Sequence, residues 1–219
     1  LNKIIFSSTA SVYGDISEDK LISEDEKLNP QNPYAESKAK TENFLINNSK
    51  DFNFIILRYF NVAGADKELR SGQISEKSSH LIKILSEVSV GKRNFVEVYG
   101  NNYNTKDGTA IRDYIHVSDL ADIHLKVSEL LFNKSESKIF NCGYGKGYSV
   151  LEVIEAANKI SNEKIKFKFS GRRNGDVTKL VSDISEIKKY IDWTPKYNSL
   201  ETILNSSIRW ERKINDEYL

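Results

Sequence analysis

Short apolar runs alternate along the chain with longer segments in which apolar residues recur at helical spacing. Short runs are typical of buried strands, whereas a recurrence every three to four positions predicts amphipathic helices. Strands are predicted at residues 3–8, 54–57, 95–99, 111–117, 138–142 and 165–169. Helices are predicted at residues 34–50, 80–90, 118–131, 149–160 and 199–210, with one short helix after residue 183. Strand, helix and strand in succession predict a parallel crossover, so we expect an α/β fold.

Residues at the ends of these segments are of the types that start and stop helices. Pro33 suits a first helical turn, and Gly91 is expected to end the helix before it. Ser118–Asp119, Ser149 and Asp183 are expected to cap the helices that follow them. The helix boundaries are therefore predicted from local chemistry as well as from periodicity.

Polar residues follow two of the predicted strands at their carboxyl ends. Residues 7–9 follow the first strand, and residues 58–61 follow the second. Open parallel sheets bind ligands at this edge, so both segments are candidates for a site. The glycine-rich turn at residues 143–147 is either an anion-binding loop or a tight turn, and its lack of a Lys-Ser/Thr ending favours the tight turn.

Composition and charge narrow the class of protein. The 219 residues are 39% hydrophobic and 29% charged with a formal net charge of +1, which indicates a globular protein with no expected nucleic-acid or membrane partner. No run approaches the ~18 apolar residues of a membrane span. The single Cys142 excludes an internal disulfide framework and suits a reducing compartment, so we expect a cytoplasmic protein. The histidines lack the spacing of a zinc site, so no metal is expected.

The beginning of the chain indicates that a preceding portion is missing. The sequence contains no methionine, opens on an apolar run at residues 3–6 and has no GxGxxG fingerprint. We therefore expect the dinucleotide pyrophosphate site to lie outside this sequence. An alternative is that the chain is an inactive truncated product, whose exposed sheet edge would make it poorly soluble on its own.

Tyr34 and Lys38 lie four residues apart in a predicted helix, so they are expected on one face of it. A fixed ammonium near a phenol favours the phenolate, which can then act as a base. Thr9, at the end of the first strand, adds a hydroxyl that can share the proton. The alternative interpretation is a solvated helix face, because a lone Tyr-x-x-x-Lys pattern is weak.

Arg112, Arg173 and Asp176 form a second candidate group. Two arginines on separate loops can hold a diphosphate bidentately, and a carboxylate three residues after one of them can accept hydrogen bonds from sugar hydroxyls. The alternative is a set of surface ion pairs.

Five segments, taken together and in this order, resemble the UDP-glucose 4-epimerases of the extended short-chain dehydrogenase/reductase family. The segments are Phe6–Gly14, Pro33–Lys38, Leu57–Ala65, Asp107–Val117 and Arg172–Asp176. The resemblance covers nearly the whole chain and implies that the missing N-terminal portion carries the glycine fingerprint. It also implies NAD as the cofactor and a UDP-sugar as the substrate.

The resemblance implies a role for each matching residue. Catalysis is assigned to Thr9, Tyr34 and Lys38. The residues implied to bind NAD are Ser7, Ser8, Tyr34, Lys38 and Tyr59. The residues implied to bind the UDP-sugar are Thr9, Phe60, Asn61, His80, Leu81, Tyr99, Arg112, Arg173, Asp176 and Leu180.

The implied reaction is 4-epimerisation of a UDP-hexose, UDP-glucose or UDP-galactose. The Tyr34 phenolate is implied to take the proton of the 4-hydroxyl while the C4 hydride passes to NAD. The 4-keto sugar would then turn while its UDP stays fixed, and the hydride would return to the opposite face. Binding energy placed on the diphosphate allows the sugar itself to move.

Two positions depart from related patterns. In dehydratase relatives an Asp-Glu pair follows the catalytic Thr, whereas Ala10 and Ser11 stand here, which argues against dehydration. Leu180 falls where the family adjusts the room around the sugar's C2 substituent, and leucine is intermediate in size between the residues that favour plain hexoses and those that admit N-acetyl sugars. The alternative substrate is therefore UDP-N-acetylglucosamine, alone or together with the hexoses.

The implied fold is a partial Rossmann-like, mostly parallel sheet with a smaller mixed α/β substrate-binding lobe. Residues 1–61 and about 111–142 are expected to form the later part of the NAD-binding domain. Residues about 62–110 and 143–219 are expected to form mainly the lobe. Family analogy predicts a homodimer for the full-length protein, with the helix at 34–50 among its contacts.

Overall fold

The computed structural model describes residues 2–16, 20–75, 77–134, 136–161 and 164–217. Its strands are β1 Lys3–Thr9, β2 Asn53–Tyr59, β3 Asn61–Ala63, β4 Val96–Tyr99, β5 Ile111–His116, β6 Lys138–Cys142, β7 Gly147–Ser149, β8 Phe167–Ser170 and β9 Lys179–Leu180. Its α-helices are α1 Pro33–Asn47, α2 Leu81–Ser89, α3 Val117–Lys134, α4 Val150–Ile160, α5 Ser185–Tyr190 and α6 Leu200–Glu217. A single 3-10 turn at Ala10–Tyr13 follows β1 within the described residues.

The first sheet consists of β1, β2 and β6, all parallel, with β2 in the centre. The crossover from β1 through α1 to β2 confirms the predicted strand, helix and strand unit. Thr9 is paired with Tyr59, and Tyr59 with Cys142, so the carboxyl ends of the three strands lie level at one edge. This is the edge at which open parallel sheets bind ligands.

Helices cover both faces of this sheet, as the side-chain alternation along β2 requires. Ile55 and Leu57 pack on the face covered by α3. Phe54 and Ile56 pack on the other face, with Leu45 of α1. Burying one such side chain contributes about 1.5 to 3 kcal/mol, so the apolar run of β2 fixes its place between the two helices.

A second sheet is centred on β5, which pairs in parallel with β3 and β9 and antiparallel with β7. Strands β4 and β8 form a separate parallel pair. Helices α2, α4 and α6 pack over these strands around Leu85, Ile154 and Leu204. The chain is thus α/β with mostly parallel pairing, as predicted. The division into two domains stays a prediction; β5, which it assigns to the first domain, pairs with strands that it assigns to the second.

Several helix boundaries differ from the prediction. Helix α1 ends at Asn47 because the Asn48 side chain donates a hydrogen bond to the Phe44 carbonyl, at 2.7 Å. The expected cap at Ser118–Asp119 is wrong, because β5 passes directly into α3 at Val117. The Asp119 carboxylate instead accepts hydrogen bonds from the Lys196 and Tyr197 amides.

One of the other two expected caps is observed. Ser149 caps α4 in a complete capping box with Glu152. The N-cap position of α5 is Ile184 and not Asp183, although the Asp183 carboxylate accepts a hydrogen bond at 2.8 Å from the Ser185 amide. Helix α6 continues to Glu217, seven residues beyond the predicted end. In the ranges that the structure describes, we find no helix with the length and apolar character needed to span a bilayer.

Candidate active site

Thr9 marks the point where β1 ends and the chain turns toward the sheet edge. Its extended backbone, with φ −146° and ψ 145°, begins the 3-10 turn, and its side-chain oxygen accepts a hydrogen bond from the Ser11 amide at 3.2 Å. The side chain is almost buried. The hydroxyl is therefore held in one place at the carboxyl end of the strand.

Helix α1 presents Tyr34 and Lys38 on one face beside Thr9's strand. Asn32 caps the helix by accepting a hydrogen bond from the Ala35 amide at 2.9 Å, with Pro33 in the first turn. Lys38 Nζ lies 5.8 Å from the centroid of the Tyr34 ring and donates a hydrogen bond to the Ser7 carbonyl at 2.8 Å. Tyr34 is 57% exposed, so its phenol is open to a ligand. The sequence predicted this shared face.

A buried polar network lies beneath these groups and was not predicted. Glu42, on α1, accepts hydrogen bonds from the Arg58 guanidinium at 2.7 to 3.2 Å and another from the Ser8 hydroxyl. Arg58 also donates to the Tyr13 hydroxyl at 2.9 Å, which in turn donates to the Asn141 side chain at 2.7 Å. Burial raises the pKa of Tyr13, with the Arg58 charge opposing this. The network ties α1 to β1, β2 and β6.

Tyr59 ends β2 and meets two polar partners. Its hydroxyl oxygen lies 2.7 Å from the Ser7 hydroxyl oxygen and 2.6 Å from His124 Nε2 on α3. Burial raises the pKa of Tyr59, while the Ser7 hydrogen bond lowers it. The spacing of α3 gave no reason to single out His124, because its partner lies 65 residues earlier.

Two adjoining cavities open above this edge of the sheet. The first has a volume of about 320 Å³. Its walls include residues predicted to act in catalysis, to bind NAD or to bind the UDP-sugar: Ser8, Thr9, Tyr34, Tyr59, Phe60, Asn61, His80, Leu81 and Leu180. The second has about 260 Å³, and its walls include Asn61, His80, Leu81, Tyr99, Arg112, Arg173 and Asp176. Asn61, His80 and Leu81 line both. Ser7 and Lys38 line neither cavity. Ser7 contacts the Tyr59 hydroxyl, and Lys38 contacts the Tyr34 ring.

The charged groups that line the second cavity are two guanidinium groups, of Arg112 and Arg173, and two carboxylates, of Glu97 and Asp176. Arg112 is ion-paired with Asp176, and both are largely buried. Arg173 lies with its guanidinium carbon 3.7 Å from the centroid of the Tyr99 ring. Tyr103, which was not predicted, donates a hydrogen bond to Asp176 at 3.3 Å; burial, followed by the Asp176 charge, raises its pKa. The Arg112–Asp176 pair lines a cavity rather than the open surface.

The glycine-rich turn at residues 143–147 already holds an acidic side chain of the protein itself, that of Asp113. The Tyr144 and Gly145 amides donate to the Asp113 carboxylate at 3.0 to 3.2 Å, and the Ser182 hydroxyl donates to it at 2.5 Å. A side chain at Gly143 would collide with Asp113 and Ser182. The turn therefore binds Asp113, and the tight-turn interpretation describes it.

The remaining candidate ligands have internal partners. The Cys142 thiol is buried, and burial raises its pKa. His116 lies 3.1 Å from the Ser206 hydroxyl, and burial lowers its pKa. Across the part of the chain that the structure describes, no group of three or more His, Cys, Asp or Glu side chains is arranged to hold a metal ion.

Comparison with known proteins gives consistent matches. The family described as GDP-mannose 4,6 dehydratase matches residues 2–206. A UDP-glucose 4-epimerase from Azospirillum brasilense is 43% identical over 98% of this chain and 62% of its own length. The Bifidobacterium longum UDP-glucose 4-epimerase, solved in complex with NAD+ and UDP, superimposes with a TM-score of 0.92 at 36% identity, covering 98% of this chain and 65% of that one.

A UDP-Glc/GlcNAc 4-epimerase from Campylobacter jejuni has a TM-score of 0.78 at 45% identity, covering 97% of this chain and 65% of that one. The chain thus spans less than two thirds of the length of each of these relatives.

Proposed function

The chain belongs to the family described as GDP-mannose 4,6 dehydratase, and on that premise we propose that it supplies the catalytic residues and the substrate site of an NAD-dependent 4-epimerase of UDP-hexoses. The observation that carries the proposal is the continuity of the two cavities. Asn61, His80 and Leu81 line both, so a ligand held by Arg112 and Arg173 reaches Tyr34 and Thr9 without leaving the protein surface.

The two guanidinium groups of the second cavity suit the UDP portion of the substrate. Arg112 and Arg173 are guanidinium groups, which match the geometry of phosphate oxygens. Asp176 offers an acceptor for ribose hydroxyls, and the Tyr99 ring offers an aromatic face. With the nucleotide held there, the hexose lies in the first cavity, where the sugar can turn while the UDP stays fixed.

The residues beside the first cavity fit the nicotinamide-ribose end of NAD. Lys38 uses one donor on the Ser7 carbonyl, which leaves two of the three ammonium donors for ribose hydroxyls. Tyr59 forms the wall next to it. NAD, when bound, supplies the acceptor and then the donor of the C4 hydride. The pyrophosphate fingerprint GxGxxG does not occur in the 219 residues.

Tyr34 acts as the proton carrier in this proposal. Its exposed phenol oxygen takes the proton of the 4-hydroxyl and later returns it to the oxygen of the turned 4-keto sugar. The Lys38 ammonium, 5.8 Å from the ring centroid, places a positive charge beside the phenol, which must be deprotonated to accept the proton. The Thr9 hydroxyl, fixed by the Ser11 amide, shares the proton at the sugar oxygen.

The walls of the first cavity favour epimerisation over the dehydration for which the family is named. Ala10 and Ser11 stand where dehydratase relatives carry an Asp-Glu pair. The described residues that line this cavity include no carboxylate. A group able to remove water from the sugar is therefore missing from these walls.

UDP-N-acetylglucosamine is a second candidate substrate, alone or alongside the hexoses. Leu180 lines the first cavity with a side chain smaller than tyrosine, which leaves room beside the sugar. The 45% identical relative from Campylobacter jejuni is named for both sugars. We expect Leu180→Tyr to lower turnover of the N-acetyl sugar more than that of UDP-glucose.

A homodimer and a cytoplasmic location complete the proposal. Phe44 and Ile46 on α1 are 59% and 40% exposed, which supports contact of this helix with a second copy. The free Cys142 supports a reducing compartment. Sedimentation velocity of the full-length protein tests the dimer.

The first test is UDP binding by the chain, measured by isothermal titration calorimetry. Arg173→Leu is expected to weaken binding about 10- to 150-fold, because it removes a charge-assisted contact. Arg172→Leu is the matched control, since Arg172 bonds to Asn102 and lines neither cavity. Equal losses in both variants, or no binding by the unmodified chain, would contradict the UDP site.

The second test is turnover of UDP-glucose, UDP-galactose and UDP-N-acetylglucosamine with NAD. The chain alone is expected to be inactive, so the assay uses it joined to the part of the Azospirillum brasilense relative that it does not match. Tyr34→Phe is expected to lower kcat by about 10² to 10⁴. NAD binding serves as the control for folding. Bound UDP and NAD without turnover of any sugar would assign the site to a different reaction.

A further inference from the structure

His124 lies outside every group that the sequence singled out, yet both of its ring nitrogens lie within hydrogen-bond distance of a partner. Its Nδ1 lies 2.8 Å from the Leu120 carbonyl oxygen, and its Nε2 lies 2.6 Å from the Tyr59 hydroxyl oxygen. A carbonyl oxygen only accepts, so the first contact requires a proton on Nδ1. In the uncharged ring, Nε2 then has a lone pair and can only accept.

This protonation state sets the direction of the hydrogen bond to Tyr59. In this tautomer the Tyr59 hydroxyl is the donor toward His124 Nε2, and its oxygen also lies 2.7 Å from the Ser7 hydroxyl oxygen. The phenol is thus held from two sides. The two rings also meet edge to face, with centroids 5.6 Å apart at 60°.

We propose that His124 is a positioning residue, whose neutral Nδ1–H tautomer holds the Tyr59 ring as a fixed wall of the first cavity beside Tyr34. Tyr59 requires this support because β2 ends at this residue and its ring is only partly buried. The catalytic consequence of the proposal rests on the proposed epimerase function; the tautomer itself does not.

His116 provides an internal contrast. The Ser118 amide donates to its Nδ1 at 3.1 Å, so its proton lies on Nε2, which faces the Ser206 hydroxyl. The structure therefore assigns opposite tautomers to His116 and His124. His80 is exposed. It serves as the reference for a histidine that faces solvent.

The test is a long-range ¹H–¹⁵N correlation spectrum of the ¹⁵N-labelled chain at pH 8, with each histidine assigned by its replacement with glutamine. We expect a pyrrole-like Nδ1 and a pyridine-like Nε2 for His124, and the reverse for His116. Tyr59→Phe is expected to shift the Nε2 resonance of His124 while leaving that of His116 in place. An Nε2–H tautomer at His124, averaged signals like those of His80, or no response to Tyr59→Phe would overturn the proposal.

A second test measures kcat and KM of the holoenzyme, which is prepared as for the turnover assay. His124→Leu removes the acceptor and is expected to lower kcat about two- to tenfold, as the loss of one neutral hydrogen bond implies. The KM for the UDP-sugar is expected to stay within twofold of its original value, because the nucleotide is held by Arg112 and Arg173. His124→Gln retains an acceptor and is expected to restore kcat.

Equal loss of kcat in the two His124 variants, or an unchanged kcat in His124→Leu, would contradict the positioning role. Thermal unfolding of both variants reports any loss of structure. An unmodified holoenzyme without epimerase activity would be a failure of the proposed function alone, since the tautomer spectra still decide the assignment of His124.

Discussion

Replacing Glu42 with glutamine removes the only carboxylate bonded to the Arg58 guanidinium among the described residues. The Glu42 side chain has no exposed surface and that of Arg58 is 3% exposed, so water cannot take the place of the lost partner. Three Arg58 contacts at 2.7 to 3.2 Å and the Ser8 hydroxyl converge on this carboxylate. Glutamine keeps the shape of the side chain and deletes its charge.

The expected cost follows from leaving the Arg58 charge buried without a partner. Breaking one side of such a pair costs about 3 to 5 kcal/mol, against a total unfolding free energy of about 5 to 15 kcal/mol for a typical domain. At about 2 to 4 °C per kcal/mol for a chain of this size, Tm is expected to fall by about 6 to 20 °C. The substitution should also weaken the position of β1, because Ser8, which bonds to Glu42, precedes Thr9 in that strand.

Equilibrium urea unfolding of the chain measures the effect, with two control variants. Glu36→Gln changes the same residue type on the same helix, but the Glu36–Lys40 pair is exposed, so no measurable shift of the midpoint is expected. Glu42→Leu combined with Arg58→Met removes both charges and is expected to recover part of the stability lost in Glu42→Gln. A loss below about 1 kcal/mol in Glu42→Gln, or no recovery in the double variant, would refute the reasoning.

Three further predictions concern other parts of the chain. Burial lowers the pKa of His116, and the Ser118 amide donating to Nδ1 acts in the same direction. Only the unfolded state therefore takes up this proton as the pH falls below about 6.5. The free energy of unfolding should then decline by up to about 1.4 kcal/mol per pH unit, which lowers Tm. His116→Gln should flatten this dependence. Ser149→Ala breaks the capping box with Glu152 and should cost about 1 kcal/mol in urea unfolding, whereas an unchanged midpoint would contradict the cap. Burial raises the pKa of the Cys142 thiol, so Ellman's reagent should label it only after the chain unfolds, and rapid labelling of the folded chain would contradict its burial.

Local regularities were predictable because they depend only on neighbours in the chain. The strands at Lys3–Thr9 and Lys138–Cys142 were found within one residue of the predicted bounds. The shared face of Tyr34 and Lys38 follows from the helical repeat alone. Where local signals misled, a distant partner was the cause, as for Asp119, whose carboxylate is engaged by the Lys196 and Tyr197 amides instead of capping α3.

The resemblance predicted the residues of the site, and the structure shows which of them lie close together. Strand β5 and the loop after β8 bring Arg112 to Asp176, 64 residues later in the chain. Tyr103, which bonds to that carboxylate, could have been noticed only as an aromatic residue within a glycine-bounded turn. The roles of these residues stay predictions until UDP binding is measured.

The sequence by itself determined where strands and helices lie, that the sheet is mostly parallel, and which polar residues end its strands. These properties follow from side-chain periodicity and from the limited reach of neighbouring residues. Only the tertiary structure decided that Glu42 neutralises Arg58, that Asp113 fills the glycine-rich turn and that His124 holds Tyr59. The physical reason is that each of these contacts joins separate elements, so its partners are set by strand order and helix packing and leave no periodic trace in the chain.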